Sequence, residues 1–127
     1  VAKVPGSPQA PLLVRVRTAC GHAVVRWCGD SAAADGPYDI EWTVDENIHW
    51  GHNAGPAAVA RPRVSSRGSR VVLRGRLTLE PDGVAVLELA GTHILLDTAD
   101  PFPRDVDGTW AELHCERDSV SLYPYEL

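Results

Sequence analysis

Val71-Val72-Leu73-Arg74-Gly75-Arg76-Leu77-Thr78-Leu79-Glu80-Pro81-Asp82-Gly83-Val84-Ala85-Val86-Leu87-Glu88-Leu89, running on through Ala90 to Thr98, decides the fold. Pro81 and Asp82 stand where a type I turn wants them, and Gly83 takes the left-handed position of a bulged hairpin. That turn pairs Glu80 with Val84. Leu73, Gly75, Leu77 and Leu79 then share one face with Ala85, Leu87 and Leu89. On the other face Arg76 stands opposite Glu88, a favourable cross-strand pair. Turn type, apolar alternation and charge pairing agree on three consecutive antiparallel strands, and so on a small β-barrel or sandwich. They name no function.

Further out, Leu12–Ala19 and Ala23–Cys28 predict a hairpin turning at Cys20-Gly21. With Ala19 opposite His22, Val14 faces Trp27, Val16 faces Val25, and Arg15 stands opposite Arg26. Like charges so placed repel, so an acidic neighbour is expected. Tyr38, Ile40, Trp42 and Val44 alternate with Asp39, Glu41, Thr43 and Asp45, the pattern of a half-buried strand. Packed beside the hairpin, that strand would set Asp39 and Glu41 against the arginines. Gly29–Pro37 reads as a loop, and Asn47–Pro62 as a strand end running into irregular chain. Strands are expected at Arg70–Leu79, Val84–Ala90 and Thr92–Thr98. Pro101 and Pro103 bar a central strand there. Trp110–Glu116 and Ser119–Tyr123 read as a closing hairpin through Arg117-Asp118. The expected core is Val14, Val16, Val25, Trp27, Ile40, Trp42, Leu77, Leu87, Leu89 and Leu113.

No amphipathic helix is evident, so the fold class is all-β. We expect a single small barrel or sandwich of about eight mostly antiparallel strands over residues 12–127, behind a loose N-terminal tail, residues 1–11. Residues 64–127 read as an OB-like half, with a long first strand broken near Gly75. In Gly108-Thr109-Trp110-Ala111-Glu112-Leu113, running into Ser121-Leu122-Tyr123-Pro124, this half resembles the OB-type domains appended to transporter ATPases. The resemblance implies a barrel and no particular activity.

A chain of 127 residues can bury a core without staples, and its eleven glycines and ten prolines suit many short strands joined by turns. No run of about 18 apolar residues exists, so no membrane helix is expected. Val1–Pro11 lacks a charged start followed by an apolar stretch, so no signal peptide is expected. Three cysteines do not make a disulfide framework, which points to a reduced, cytoplasmic setting. Cys20, His22, Cys28, His114 and Cys115 are the right residue types for zinc. The expected hairpin, however, sets Cys20 and Cys28 roughly 20 Å apart at ~3.3 Å per residue. No metal and no cofactor are expected, and a Cys20–Cys28 disulfide is ruled out by the same distance. Gly-x-Ser-x-Gly, a phosphate loop and His-Glu-x-x-His are all absent, so no catalytic residue is assigned. Asp97, Asp100, Asp105 and Asp107 lack the spacing of a calcium loop and read as solvated acids.

Two local signals remain. His49-Trp50-Gly51-His52-Asn53, downstream of Asp45 and Glu46, has residue types suited to acid–base work or ligand stacking, or to a strand end that packs Trp50 on the core. The window Arg61–Arg76 holds Arg61, Arg63, Arg67, Arg70, Arg74 and Arg76 and no acid, in a chain of net charge −5. Such asymmetry concerns partners rather than fold. The leading reading is a non-enzymatic protein-interaction module, immunity-type or regulatory, that docks a basic partner. Asp39, Glu41, Asp45, His49, Trp50 and His52 would be its contacts. The alternative is an OB-like binder of single-stranded nucleic acid or a phosphate ligand through Arg61, Arg63, Arg67, Arg70 and Arg74. A second alternative is a small-ligand pocket or enzyme around His49, Trp50 and His52. A monomer is expected.

Overall fold

The computed structural model describes residues 2–3, 13–29, 36 and 40–124. The fold is all-β, a curled half-barrel. Its strands are β1 (Ala2–Lys3), β2 (Leu13–Thr18), β3 (Gly21–Trp27), β4 (Ile40–Val44), β5 (Ala54–Pro56) and β6 (Arg63–Arg67). There follow β7 (Arg70–Leu79), β8 (Ala85–Leu89), β9 (Thr92–Leu96), β10 (Trp110–Glu116) and β11 (Val120–Pro124). Single 3-10 turns, Arg104–Val106 and Arg117–Ser119, are the helical elements among the described residues. None is long and apolar enough to cross a membrane.

The hairpin that decides the fold has the expected register. Leu79 pairs with Ala85, Leu77 with Leu87 and Arg76 with Glu88. Glu80 N–H donates to the Val84 carbonyl at 2.8 Å, and Gly83 sits at φ 91°. The charge pairing differs: Arg76 Nε donates to the Gly108 carbonyl at 3.1 Å, while Glu88 has the His93 ring Nε2 at 3.9 Å.

β7 is long enough to serve two neighbourhoods. Its first part lies between β6 and β10, and its last part carries β8 and then β9. The strand runs unbroken through Gly75, where a break was expected and where a Cβ would collide with the Glu88 backbone carbonyl. Gly75→Ala is expected to cost about 1–3 kcal/mol through overpacking. Urea unfolding with an unchanged slope would read this directly, and a neutral result would mean that β8 does not press on β7 there.

The first hairpin differs from expectation. Thr18 pairs with Gly21, Val16 with Ala23 and Val14 with Val25, so the turn is Ala19-Cys20. Thr18 Oγ1 organises it, accepting from Cys20 N–H at 3.2 Å and donating to the Gly21 carbonyl at 3.0 Å. The shift is two residues, so every side chain keeps its face. Arg15 therefore stands opposite Val24, not Arg26.

The strand with Trp42 does not lie beside this hairpin. β11 separates them, parallel to β3 through Ser121 and Leu122 and antiparallel to β4. Glu41 consequently faces Tyr123 rather than an arginine. The closing hairpin is also absent: β10 pairs with β7 and β5, whereas β11 pairs with β3 and β4. The 3-10 turn Arg117–Ser119 carries the chain from one neighbourhood to the other. At the barrel mouth Ile48 bridges to Thr98, with Ile48 N–H donating to the Asp97 carbonyl at 2.7 Å.

Three strands, β1, β5 and β6, lie in segments not read as strand, β1 within the expected loose tail. β6 had a local signal: Gly68-Ser69 turns the chain between Val64-Ser65-Ser66 and Val71-Val72-Leu73, with Gly68 at φ 61°. The expected core is buried in full except Ile40, which is half-buried. Ala2 and Lys3 pair along β2 through Arg15 and Val14; residues 4–11 lie outside the described residues.

Candidate functional site

Alternation sorts the side chains of β2, β3, β6 and β7 onto two faces. Val14, Val16, Ala23, Val25, Val64, Val71, Leu73 and Leu77 point into the core. Arg15, Arg17, Arg63, Arg67, Arg70 and Arg76 are exposed on the outer face, with Arg26 and Arg74 half-buried among them. Two remote arginine sets meet there because β3 and β6 run parallel and touch at Gly21 and Val64. Glycine is required at that crossing, since a Cβ on Gly21 would strike the Val64 carbonyl.

Only part of this charge is neutralised. Arg74 Nε meets Glu112 at 3.0 Å and Arg70 Nε meets Glu116 at 3.3 Å, both acids coming from β10. Arg26 Nη1 donates to the Asp118 carbonyl at 2.9 Å. Arg15, Arg17, Arg61, Arg63 and Arg67 have no ion-pair partner among the described residues. The antiparallel register even sets like charges opposite one another, Arg63 against Arg74 and Arg67 against Arg70. Such pairs destabilise a sheet unless something anionic lies over them.

Beside the bridge between β3 and β6, the face opens into a groove of about 480 Å³. Arg61, Arg63, Arg74, His22, Ser65 and Ser66 contribute to its lining, and among the described residues no carboxylate does. Ser66 Oγ accepts from Val24 N–H at 3.0 Å, which leaves its hydroxyl proton free to donate. Sequence reasoning had found the arginines but not His22, Ser65 or Ser66, because it lacked the β3–β6 contact.

The chain matches no protein-family model, no curated protein and no solved structure. Its chemistry is read from its own geometry.

The His49–Asn53 segment is largely a structural clamp. Asn53, buried, accepts from His49 N–H at 2.7 Å through Oδ1. Its amide donates to Glu46 Oε2 at 2.8 Å and to the Asn47 carbonyl at 3.0 Å. Glu46 Oε1 in turn accepts from Glu116 N–H at 2.8 Å and Ser119 Oγ at 3.0 Å. Burial opposes ionisation of Glu46. The Glu116 N–H, the Asn53 and Ser119 hydrogen bonds and the charge of Arg70 outweigh it and hold the carboxyl below its ordinary value.

Trp50 packs on Phe102 with ring centroids 5.5 Å apart. His49 and His52 are exposed and meet edge to face at 6.0 Å. They serve different recesses. His49 and Trp50 border one of about 250 Å³ with Asp100, Pro101 and Pro103. His52 borders another of about 330 Å³ with Glu112 and His114. His49 and Trp50 thus border one of these two recesses and His52 the other.

Glu41 and Asp45 are exposed on and just beyond β4, and Asp39 lies outside the described residues. Cys20 sits in the β2–β3 turn and Cys28 just past the far end of β3. Cys115 is in the core, where burial, and then the charges of Glu46 and Glu116, push its thiol up to about 12. Among the described residues no group of three or more His, Cys, Asp or Glu is placed to hold a metal ion.

Proposed function

We propose that this protein is a non-enzymatic binding module that takes single-stranded nucleic acid by its phosphate backbone on the outer face of β2, β3, β6 and β7. The merging of two arginine sets across the Gly21–Val64 contact is the observation that carries this reading. Alternate outward residues on a strand stand about 7 Å apart, close to the spacing of successive phosphates in an extended strand. Arg15 with Arg17, and Arg63 with Ser65 and Arg67, offer such rows. Guanidinium forks suit phosphate oxygens. Residues 64–127, the OB-like half, contribute β6 and β7, and the β2–β3 hairpin widens the surface. The described outward residues of these strands include no Phe, Tyr or Trp for stacking, so recognition is by charge and tolerant of sequence. A cytoplasmic monomer is the proposed working form.

Fluorescence anisotropy with a labelled oligothymidine at low salt tests this. Binding should weaken as salt rises, and Arg17→Gln with Arg67→Gln should flatten the log–log salt slope by about 0.7 for each arginine removed. No binding at low salt would refute the reading.

Docking of a basic protein is the second reading. Glu41 and Asp45 favour it, since neither has an ion-pair partner among the described residues and β4 has a strand on one edge only. Heparin separates the two: the arginine face predicts retention at low salt, whereas acidic docking predicts flow-through.

A further inference from the structure

We infer that the groove beside the β3–β6 contact is a discrete subsite for a phosphate monoester, the doubly charged phosphate of a strand end or of a free nucleotide. This rests on the reading of the arginine face and adds a ligand class to it.

The rest of the face offers single arginines in rows. The groove concentrates charge: Arg61 and Arg63 are unpaired among the described residues, and Arg63 stands directly opposite Arg74. Glu112 engages Arg74 through Nε, which leaves the other guanidinium N–H donors of Arg74 available. His22 lies on the same outward side as Arg17, its cross-strand neighbour. Ser65, half-buried, and Ser66 supply hydroxyl donors beside the guanidinium groups.

Three guanidinium groups with one carboxylate in contact leave a local excess of two positive charges. A phosphodiester in mid-strand carries a single negative charge. A phosphate monoester carries about −1.5 to −2 at neutral pH with three acceptor oxygens, and so matches both the charge and the donors. A groove of about 480 Å³ exceeds what a phosphate fills, and leaves room for the sugar and base attached to it. Glu112 is held on Arg74, and the described lining residues add no further carboxylate to repel such a dianion. β3 and β6 touch at Gly21 and Val64, and Val24 N–H still reaches Ser66 Oγ at 3.0 Å, so the groove lies beside that contact, where Cys20, Gly21 and His22 face Arg61, Pro62 and Arg63.

The test uses the full chain, isotopically labelled, with four probes. These are thymidine 5′-monophosphate, thymidine, and an oligothymidine with or without a 5′ phosphate. The nucleotide should shift the amide signals of Gly21, His22, Ser65 and Ser66, and the nucleoside should not. The 5′-phosphorylated oligonucleotide should bind at least about tenfold tighter than the unphosphorylated one, the value of one charged hydrogen bond. Arg63→Gln should erase that preference. Its fold is safe, because the change removes a like-charge pair, and thermal unfolding checks this.

Equal affinity for both oligonucleotides, with the groove amides unmoved, overturns the subsite and leaves the backbone-binding face standing. Nucleotide-specific shifts in the groove without oligonucleotide binding establish the subsite and overturn the single-strand function.

Discussion

Trp42→Ala is expected to lower the unfolding free energy by about 3–5 kcal/mol, the usual cost of emptying a buried aromatic site. Trp42 is 6% exposed, and among the described residues its strand, β4, is paired in the sheet with β11 alone. Leu122 stands opposite it across that pairing and is fully buried. β9 packs against β4 as well, and a void left in such packing closes only in part. Against a typical total of about 5–15 kcal/mol, the loss moves the protein close to unfolding at ambient temperature. Urea denaturation measures it. Glu41→Gln, one residue away and pointing outward, is the control and should change stability by no more than about 0.5 kcal/mol. A Trp42→Ala loss below about 1 kcal/mol would mean that β4 does not bury this face.

Asn53→Ala should cost about 1–3 kcal/mol, because it leaves part-buried polar groups without partners. His49 N–H would lose its acceptor and Glu46 Oε2 its donor. The clamp ties the loop after β4 to the end of β10, so proteolytic nicking near His49 should rise as well. Its pH dependence has a definite sign. Glu46 ionises more readily when folded than its ordinary 4.5. Such a group adds stability above its unfolded value and loses it as pH falls through the lower folded value. The stability gap between the native chain and Glu46→Gln should therefore be widest at neutral pH and narrow as the pH is taken below about 4.5. A gap that stays constant from pH 7 downward would show that the Glu46 charge contributes nothing.

Glu112 behaves in the same direction for a related reason. Burial opposes its ionisation, and the hydrogen bonds from Arg74 and His114, at 3.0 and 2.9 Å, more than offset this. Protonating it in acid would release Arg74 and add to the positive charge of the outer face. Anion binding and fold stability should thus respond oppositely to acid, an antagonism that a combined binding and unfolding series would expose.

The amino-acid sequence by itself determined the all-β class, the register of the β7–β8 hairpin, and the burial of the core side chains it named, Ile40 excepted. Those are local matters. A Pro-Asp-Gly turn is written in adjacent residues, and strand alternation repeats every second position whatever lies next door. Hence Trp42 and Val14 were legible as core, and the first hairpin kept its faces despite a slip of two residues. Only the tertiary structure decided which strand edges meet. Backbone N–H and C=O groups are the same on every strand, so nothing local says that β11 must lie between β3 and β4, or that β3 must run parallel to β6. Those choices follow from closing one curled sheet over one core. They also made the candidate site: Arg15 and Arg17 share a face with Arg63 and Arg67 because Gly21 lets two distant strands touch, and Asn53 became a clamp because that closure brought Glu46 to Glu116.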